Sequence, residues 1–263
     1  MSKLPISVHV LTWNSGATLK QALESVKDCE EILVLDGGST DDTCDIAKEF
    51  GATIIQQEDK GPIENFAAVR NQVLAKANQP WVLALDSDEY ISPELLDELR
   101  EISGSNEPTA YFIPRIYVLP DGRRVDHATT YPNKRLYFFH QDAVDQWIKP
   151  VHERPQLNAG IQTKDCKGPS LAPVGTAEEY RTKNLRYLKI EQGKSKGKGW
   201  GDWLIHRVLH TLRSRLIGLI KLLWIWLVPK KGVKMPLKLE LARFWYGWKL
   251  IVATCPLGLQ SRS

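Results

Sequence analysis

Cysteine is scarce. Cys29, Cys44, Cys166 and Cys255 are scattered through 263 residues, and no two are spaced Cys-x-x-Cys. No histidine stands at zinc-ligand spacing from them. Both facts argue against a disulfide framework or structural zinc and for a reducing compartment. There is no Gly-x-Gly-x-x-Gly after an early strand and no Walker A lysine motif, so hydride transfer and P-loop chemistry lose support. Long apolar runs are missing too. Between His206 and Pro229 the longest uncharged stretch, Leu222 to Pro229, falls far short of the ~20 residues a bilayer crossing needs. The N-terminus lacks the long apolar core and small-residue cleavage site of a signal peptide, and Ile6–Leu11 reads instead as a strand. No internal repeat is present.

What the chain does have is an uneven charge distribution. Residues 1–180 hold 17 Lys and Arg against 28 Asp and Glu, whereas residues 181–263 hold 18 against 3. Six of the nine Trp lie in that second part. An acidic globular body, residues 1–190, followed by a basic, Trp-rich helical tail, residues 191–263, is the expected division. With 43% apolar residues the chain can build a real core.

Along the body, short apolar runs alternate with helical patterns. Strands are expected over Ile6–Leu11, Glu31–Leu35, Ala52–Gln56 and Trp81–Leu85. Helices are expected from about Leu19, with Thr18 and Gln21 as a capping box, then after Ser39 or Thr40 as N-cap, over Asn65–Ala77, and after Ser92-Pro93. The strands are continuously apolar, the pattern of a mostly parallel sheet covered by helices on both faces. Ligands of such sheets bind beyond the carboxyl ends of the strands. The loops there are Thr12–Ser15, Asp36–Asp42 and Asp86–Glu89. From Ala110 the alternation gives way to strands and hairpins, including the Asp121-Gly122 turn.

Three carboxylates in four residues, Asp86, Asp88 and Glu89, repel one another unless a cation sits among them. Asp-x-Asp oxygens suit Mg²⁺ or Mn²⁺ with phosphates and water completing the shell. An acidic helix entry would give the same pattern. In Asp36-Gly-Gly-Ser-Thr-Asp-Asp42 the glycines permit close backbone approach to a ligand, and Asp36 is placed to accept from a ribose or base. Arg70 is either a diphosphate ligand or a solvated helix residue. Glu153, in Val151-His-Glu-Arg154, is a candidate general base, with Asp142 and Asp145 as competing acids.

Taken together, Thr12-Trp13-Asn14, Asp36–Thr43, Ala67-Ala-Val-Arg-Asn71 and Leu85-Asp-Ser-Asp-Glu89 resemble family 2 of the glycosyltransferases. Tyr131–Phe139 and Val151-His-Glu153 look like the bacterial branch that adds sugars to the lipopolysaccharide core. The resemblance covers roughly residues 4 to 190. It implies a GT-A fold and inverting, metal-dependent transfer from a nucleotide sugar, UDP-linked, to a lipid-linked or glycan acceptor. On that match Thr12 and Trp13 hold the base, Asp36 and Asp86 the nucleoside, Arg70 lies near the phosphates, Asp88 binds the metal and Glu153 is the catalytic base. Two positions depart from the pattern. Gly37 stands where many members have a second acid, and Leu171-Ala-Pro-Val-Gly175 lacks the His that often follows. A nucleotidyltransferase of similar sheet, or a non-catalytic membrane scaffold of the same fold, are the competing readings. The first would need a Gly-rich, Arg-containing loop after the first strand, which Thr12–Gly16 does not supply.

In the tail, Val208, Leu209, Leu212, Leu216, Leu219, Ile220 and Leu223 fall on one helical face. His206, Arg207, His210, Arg213 and Lys221 fall opposite, with Arg215 at the edge. Lys230, Lys231, Lys234 and Lys238 follow, then Phe244-Trp-Tyr-Gly-Trp248. This suits amphipathic helices on an anionic membrane surface, with the protein peripheral on the cytoplasmic face. Packing on the body or on a second subunit are alternatives, and nucleic acid is not expected.

Overall fold

Ile6, Val8 and Val10 alternate into the main core with no solvent exposure, and Trp81, Leu83 and Leu85 face them from the neighbouring strand. A computed structural model describes residues 3–58, 61, 65–149, 153–195, 199–229 and 231–256. They form two compact units interleaved in sequence, Met1–Tyr117 with Pro132–Pro173, and Val118–Tyr131 with Val174–Ser263.

The first unit begins with the predicted alternation: β1 (Leu4–Thr12), α1 (Gly16–Glu24), β2 (Cys29–Asp36), α2 (Thr43–Glu49), β3 (Thr53–Gln56), α3 (Phe66–Leu74), β4 (Trp81–Asp86), β5 (Tyr90–Ile91) and α4 (Pro93–Ser103). It continues with β6 (Thr109–Val118), β7 (Lys134–His140), β8 (Val144–Ile148), β9 (Arg154–Leu157), β10 (Gln162–Asp165) and β11 (Ser170–Pro173). The strand order β3-β2-β1-β4 is parallel throughout, and β7 then pairs antiparallel with both β4 and β6. This is the α/β architecture with flanking helices, its sheet parallel on one side and antiparallel on the other. Trp81 stacks on Phe138 across the β4–β7 boundary at 4.9 Å, an aromatic cross-strand pair that fixes the register where strand direction changes.

Two helix starts differ from expectation. The N-cap of α1 is Ser15, and no Thr18–Gln21 capping box forms. The N-cap of α2 is Asp42, because the Ser39 hydroxyl is taken by Asp36. The Ser92 cap is as expected: its side chain accepts from Leu95 N–H at 3.1 Å, with Pro93 in the first turn.

The second unit holds α5 (Ala177–Ser195), α6 (Trp200–Asp202), a π-helical stretch Trp203–Leu209, α7 (His210–Leu227) and α8 (Leu237–Ala253). None of these described helices is long and apolar enough to cross a membrane. The predicted apolar face of α7 is present, but it points outward. Leu209, Leu212, Leu216, Leu219, Ile220 and Leu223 are all exposed, as are Trp224 and Trp226. The cations do not all lie opposite in water. Arg207 pairs with Glu191 at 2.8 Å, Arg215 donates to the Arg243 carbonyl at 2.8 Å, and Lys221 to the Tyr131 carbonyl at 2.9 Å. Three of the basic residues therefore serve internal contacts, since the acceptors they meet lie within this unit.

Candidate active site

The parallel strands bring their carboxyl ends to one rim. Thr12 pairs with Asp36 across β1–β2, and Leu11 with Asp86 across β1–β4. Asp36 and Asp86 thus flank one strand, two strand spacings (~10 Å) apart. The intervening loops are tied together. Asn14 N–H donates to Ser39 Oγ at 2.8 Å, Thr40 N–H to Asn14 Oδ1 at 2.8 Å, and the Ser15 and Ser87 hydroxyls meet at 3.0 Å.

Asp36 is 1% exposed. Its Oδ1 accepts from Thr12 Oγ1 at 3.0 Å and Ser39 Oγ at 2.5 Å, and its Oδ2 from the N–H groups of Gly38 at 2.9 Å and Ser39 at 2.8 Å. Burial would raise its pKa, but the Ser39, Thr12 and Gly38 donors outweigh burial and hold the carboxyl below the usual range. Four donors use the lone-pair capacity of a carboxylate, so Asp36 orders this loop. Thr12, 1% exposed, is likewise committed to Asp36. Trp13 is exposed, beside Gly37. A Cβ at position 37 would lie 2.6 Å from the Gly61 carbonyl oxygen and 3.2 Å from Trp13 Cδ1. In this conformation the loop has no room for a side chain at the position after Asp36.

Around Asp86 the structure assembles a cluster of opposite charges. Arg70 is 2% exposed, so it is not a solvated helix residue. Its Nη2 donates to Asp86 Oδ1 at 2.9 Å and its Nε to Glu153 Oε1 at 3.0 Å. The guanidinium lies over the rings of Tyr137 at 5.0 Å and Trp147 at 4.9 Å, which partly compensates a buried cation. Arg135 donates to Asp86 and contacts Glu89 Oε1 at 3.4 Å, and Arg115 also pairs with Glu89. Burial pushes the Asp86 carboxyl up, yet Arg135 and Arg70 prevail and hold it well below the carboxylate range. For Glu89 the balance reverses: burial, then the charge of Asp86, push its pKa up against Arg115 and Arg135.

Glu153 lies at the inner end of this cluster, 11% exposed, with Tyr137 Oη also 3.3 Å from its Oε1. Both donors take the same oxygen. The competing acids are both exposed, Asp142 in the turn before β8 at 77% and Asp145 on β8. Val151 and His152 lie outside the described residues. Asp88 is half-buried, and its carboxylate, with those of Asp86 and Glu89, offers oxygens all within 4.8 Å of one another. Hard carboxylate oxygens at this spacing fit a hard divalent cation. Asp86 and Glu89 are engaged by arginines, so an ion among these three carboxylates would share their oxygens with guanidiniums.

Residues 7–165, more than half of the chain, match the profile of Glycosyl transferase family 2. The chain belongs to this glycosyltransferase family. It is 29% identical over 165 residues to the lipopolysaccharide core biosynthesis glycosyltransferase LpsC of Rhizobium meliloti, covering 60% of each. It is 35% identical over 115 residues to an uncharacterized glycosyltransferase of Rickettsia prowazekii, 43% of this chain and 38% of that one. The matched segment thus spans less than two thirds of either relative. Similar solved structures include S. aureus TarS with UDP-GlcNAc, at 17% identity and TM-score 0.48, covering 95% of this chain and 90% of that one. Another is the Mycobacterium tuberculosis glucosyl-3-phosphoglycerate synthase with Mn²⁺, UDP and phosphoglyceric acid, at 19% identity and TM-score 0.45, covering 67% and 73%.

Of the residues singled out from sequence, the fold brings Arg70, Asp86 and Glu153 into direct contact, with Asp88 beside them. Thr12 and Asp36 form a second, connected group one strand away. Sequence reasoning missed Arg115, Arg135 and Tyr137 as site residues. The only signal was the run Tyr131–Phe139, quoted for its resemblance and not for its charge.

Proposed function

We propose that this protein is an inverting glycosyltransferase that moves a sugar from a nucleotide sugar, UDP-linked, to a hydroxyl of a lipid-linked or lipopolysaccharide-type glycan. One observation carries the reading: a buried guanidinium, Arg70, ties Asp86 at the end of β4 to Glu153, 67 residues later, at 2.9 and 3.0 Å. Burying a cation between two acids costs desolvation energy that only close, well-oriented partners repay, so this bridge holds both carboxylates in fixed positions.

In this reading Glu153 is the base. Arg70 and Tyr137 occupy Oε1. Among the described residues no hydrogen bond reaches Oε2, which is left to accept the proton of the acceptor hydroxyl as its oxygen attacks the anomeric carbon. The carbon–oxygen bond to the diphosphate breaks on the opposite face, inverting the centre without a covalent enzyme intermediate. Asp88 would hold the divalent metal, Mg²⁺ or Mn²⁺, which when bound offsets charge on the leaving diphosphate. Trp13 offers a ring for base stacking over a loop that Asp36 and Thr12 order, and Asp86 faces the ribose.

Residues 1–190 carry this chemistry and residues 191–263 the contact with an anionic membrane surface, peripheral on the cytoplasmic side, where a lipid-linked acceptor is presented. The exposed leucines and isoleucines of α7 support that contact, since contiguous exposed apolar side chains mark interaction sites.

The test is a panel of UDP- and other nucleotide sugars with extracted lipid-linked acceptors, with and without Mn²⁺. Glu153→Gln and Asp88→Asn should each lose at least about 100-fold in kcat while the melting temperature holds. A chain that turns over no sugar, or whose turnover survives both substitutions, would be a scaffold or a different enzyme.

A further inference from the structure

The acidic cluster is largely neutralised by protein cations. Asp86 and Glu89 meet Arg70, Arg115 and Arg135, and Glu153 meets Arg70. With Asp88, four carboxylates face three guanidiniums, a formal sum of one negative charge. A divalent cation entering alone therefore meets little net attraction and must compete with guanidiniums for the same oxygens. The three arginines are not equally placed. Arg70 is 2% exposed and Arg115 17%, while the Arg135 side chain is 31% exposed. Arg70 is further fixed by Glu153 and by two aromatic rings. Arg135 has Tyr137 under one face at 5.2 Å and solvent on the other side. It is the cation that can leave the carboxylates with least loss, and a planar guanidinium pairs with phosphate oxygens as well as with carboxylates.

We propose that Arg135 is a positioning residue that makes metal and nucleotide binding interdependent. In the free protein its guanidinium bridges Asp86 and Glu89 and keeps a divalent cation weakly held; an arriving nucleoside diphosphate takes that guanidinium over and opens the carboxylates to the ion. The proposal rests on the reading of Asp88 as a metal ligand beside a nucleotide-sugar site. By linkage, UDP tightens the ion and the ion tightens UDP by the same factor.

The experiment is Mn²⁺ binding to the full chain, followed by the electron paramagnetic resonance signal of free Mn²⁺, with and without UDP, with the UDP–Mn²⁺ equilibrium measured separately. Wild type should bind Mn²⁺ at least about tenfold more tightly when UDP is present. Arg135→Gln should bind Mn²⁺ alone at least about tenfold more tightly than wild type, and its gain from UDP should shrink to about threefold or less. Arg135→Lys, which keeps the charge, should stay near wild type for Mn²⁺ alone. The proposal is overturned if wild type binds Mn²⁺ equally well with and without UDP, a measurement that needs no variant, or if a folded Arg135→Gln leaves the affinity for Mn²⁺ alone unchanged. Asp88→Asn separates the two readings. If it binds Mn²⁺ with UDP as wild type does, the assignment of the metal ligand itself fails, whatever Arg135 does.

Discussion

A charged site buried in a sheet leaves its mark on neighbouring residues, and His9 shows it. It lies on β1, 2% exposed, with no hydrogen-bond partner for Nε2. Burial first, and then the Arg70 charge, lower its pKa from 6.5 to about 3. Between those values the unfolded chain binds a proton at position 9 and the folded one does not, so stability falls as pH falls from 6.5 toward 3, by about 1.4 kcal/mol per unit. Asp36 and Asp86, held below the carboxylate range, lose their contributions only below about pH 4, whereas Glu89, pushed up, favours the fold as pH falls and opposes the histidine slope. The histidine is therefore read from the difference between two proteins: urea unfolding of wild type and His9→Leu between about pH 6.5 and 4.5 should show the variant losing less stability per unit of pH than wild type; parallel curves would refute the assignment. The acids at this scale were legible because each motif is local: Asp86-Ser-Asp-Glu89 and the Asp36 loop directly follow apolar runs. Their partners were not. Arg135 reaches Asp86 from 49 residues away and Arg115 reaches Glu89 from 26, and only the antiparallel pairing of β7 with β4 and β6 brings them there. No local pattern encodes that pairing.

At the scale of elements, α7 departs from the ordinary amphipathic helix in a way its sequence only half reveals. A 3.6-residue period identifies two faces but not which one meets solvent. The default, apolar inward, is contradicted by exposed Leu212, Leu216, Ile220 and Leu223 and by Arg207, Arg215 and Lys221 committed to internal acceptors. Gly247 on α8 makes the inward arginine possible, because a Cβ there would lie 2.6 Å from Arg215 Nε. With those cations occupied, apolar contact, more than charge, should dominate membrane affinity. Each exposed Leu or Ile transferred from water contributes about 1 kcal/mol at half burial, similar to the ~1 kcal/mol of a well-placed Lys or Arg. Leu216→Ser/Ile220→Ser/Leu223→Ser should therefore lower co-sedimentation with phosphatidylglycerol-containing vesicles at least about tenfold at an unchanged melting temperature. Arg213→Ala alone should lower it only a few-fold and lose its effect in high salt. Equal pelleting of the triple variant would reject the membrane contact, and a change from dimer to monomer would assign the face to a second copy.

For the whole molecule, the interleaving of the two units decides which experiments on the C-terminal part are interpretable. The second unit takes up Val118–Tyr131 from the middle of the chain, a segment whose composition gives no hint of its partners. Asp126 and His127 N–H groups donate to the Val233 carbonyl at 2.8 and 3.1 Å, Thr129 N–H to Glu240 at 2.9 Å, and Met235 N–H returns to the His127 carbonyl at 2.8 Å. Glu240 and Met235 are each 1% exposed and Val125 as well, so these bonds sit in a small core of their own. A chain ending at Gly199 would strip three amides, 126, 127 and 129, of their acceptors. It would leave those of Leu119, Gly122 and Tyr131, which bond within the segment to Arg123, Leu119 and Ala128. Hydrogen exchange should then accelerate at the first three by at least about tenfold, equivalent to 1.4 kcal/mol of opening free energy, with a smaller change at the second three and none in β1 or β4. Unchanged protection at 126, 127 and 129 would mean that residues 200–256 do not hold this segment. If the acceleration is found, loss of vesicle binding on truncation reports two events, removal of the apolar face and release of Val118–Tyr131, and only the serine substitutions on α7 separate them.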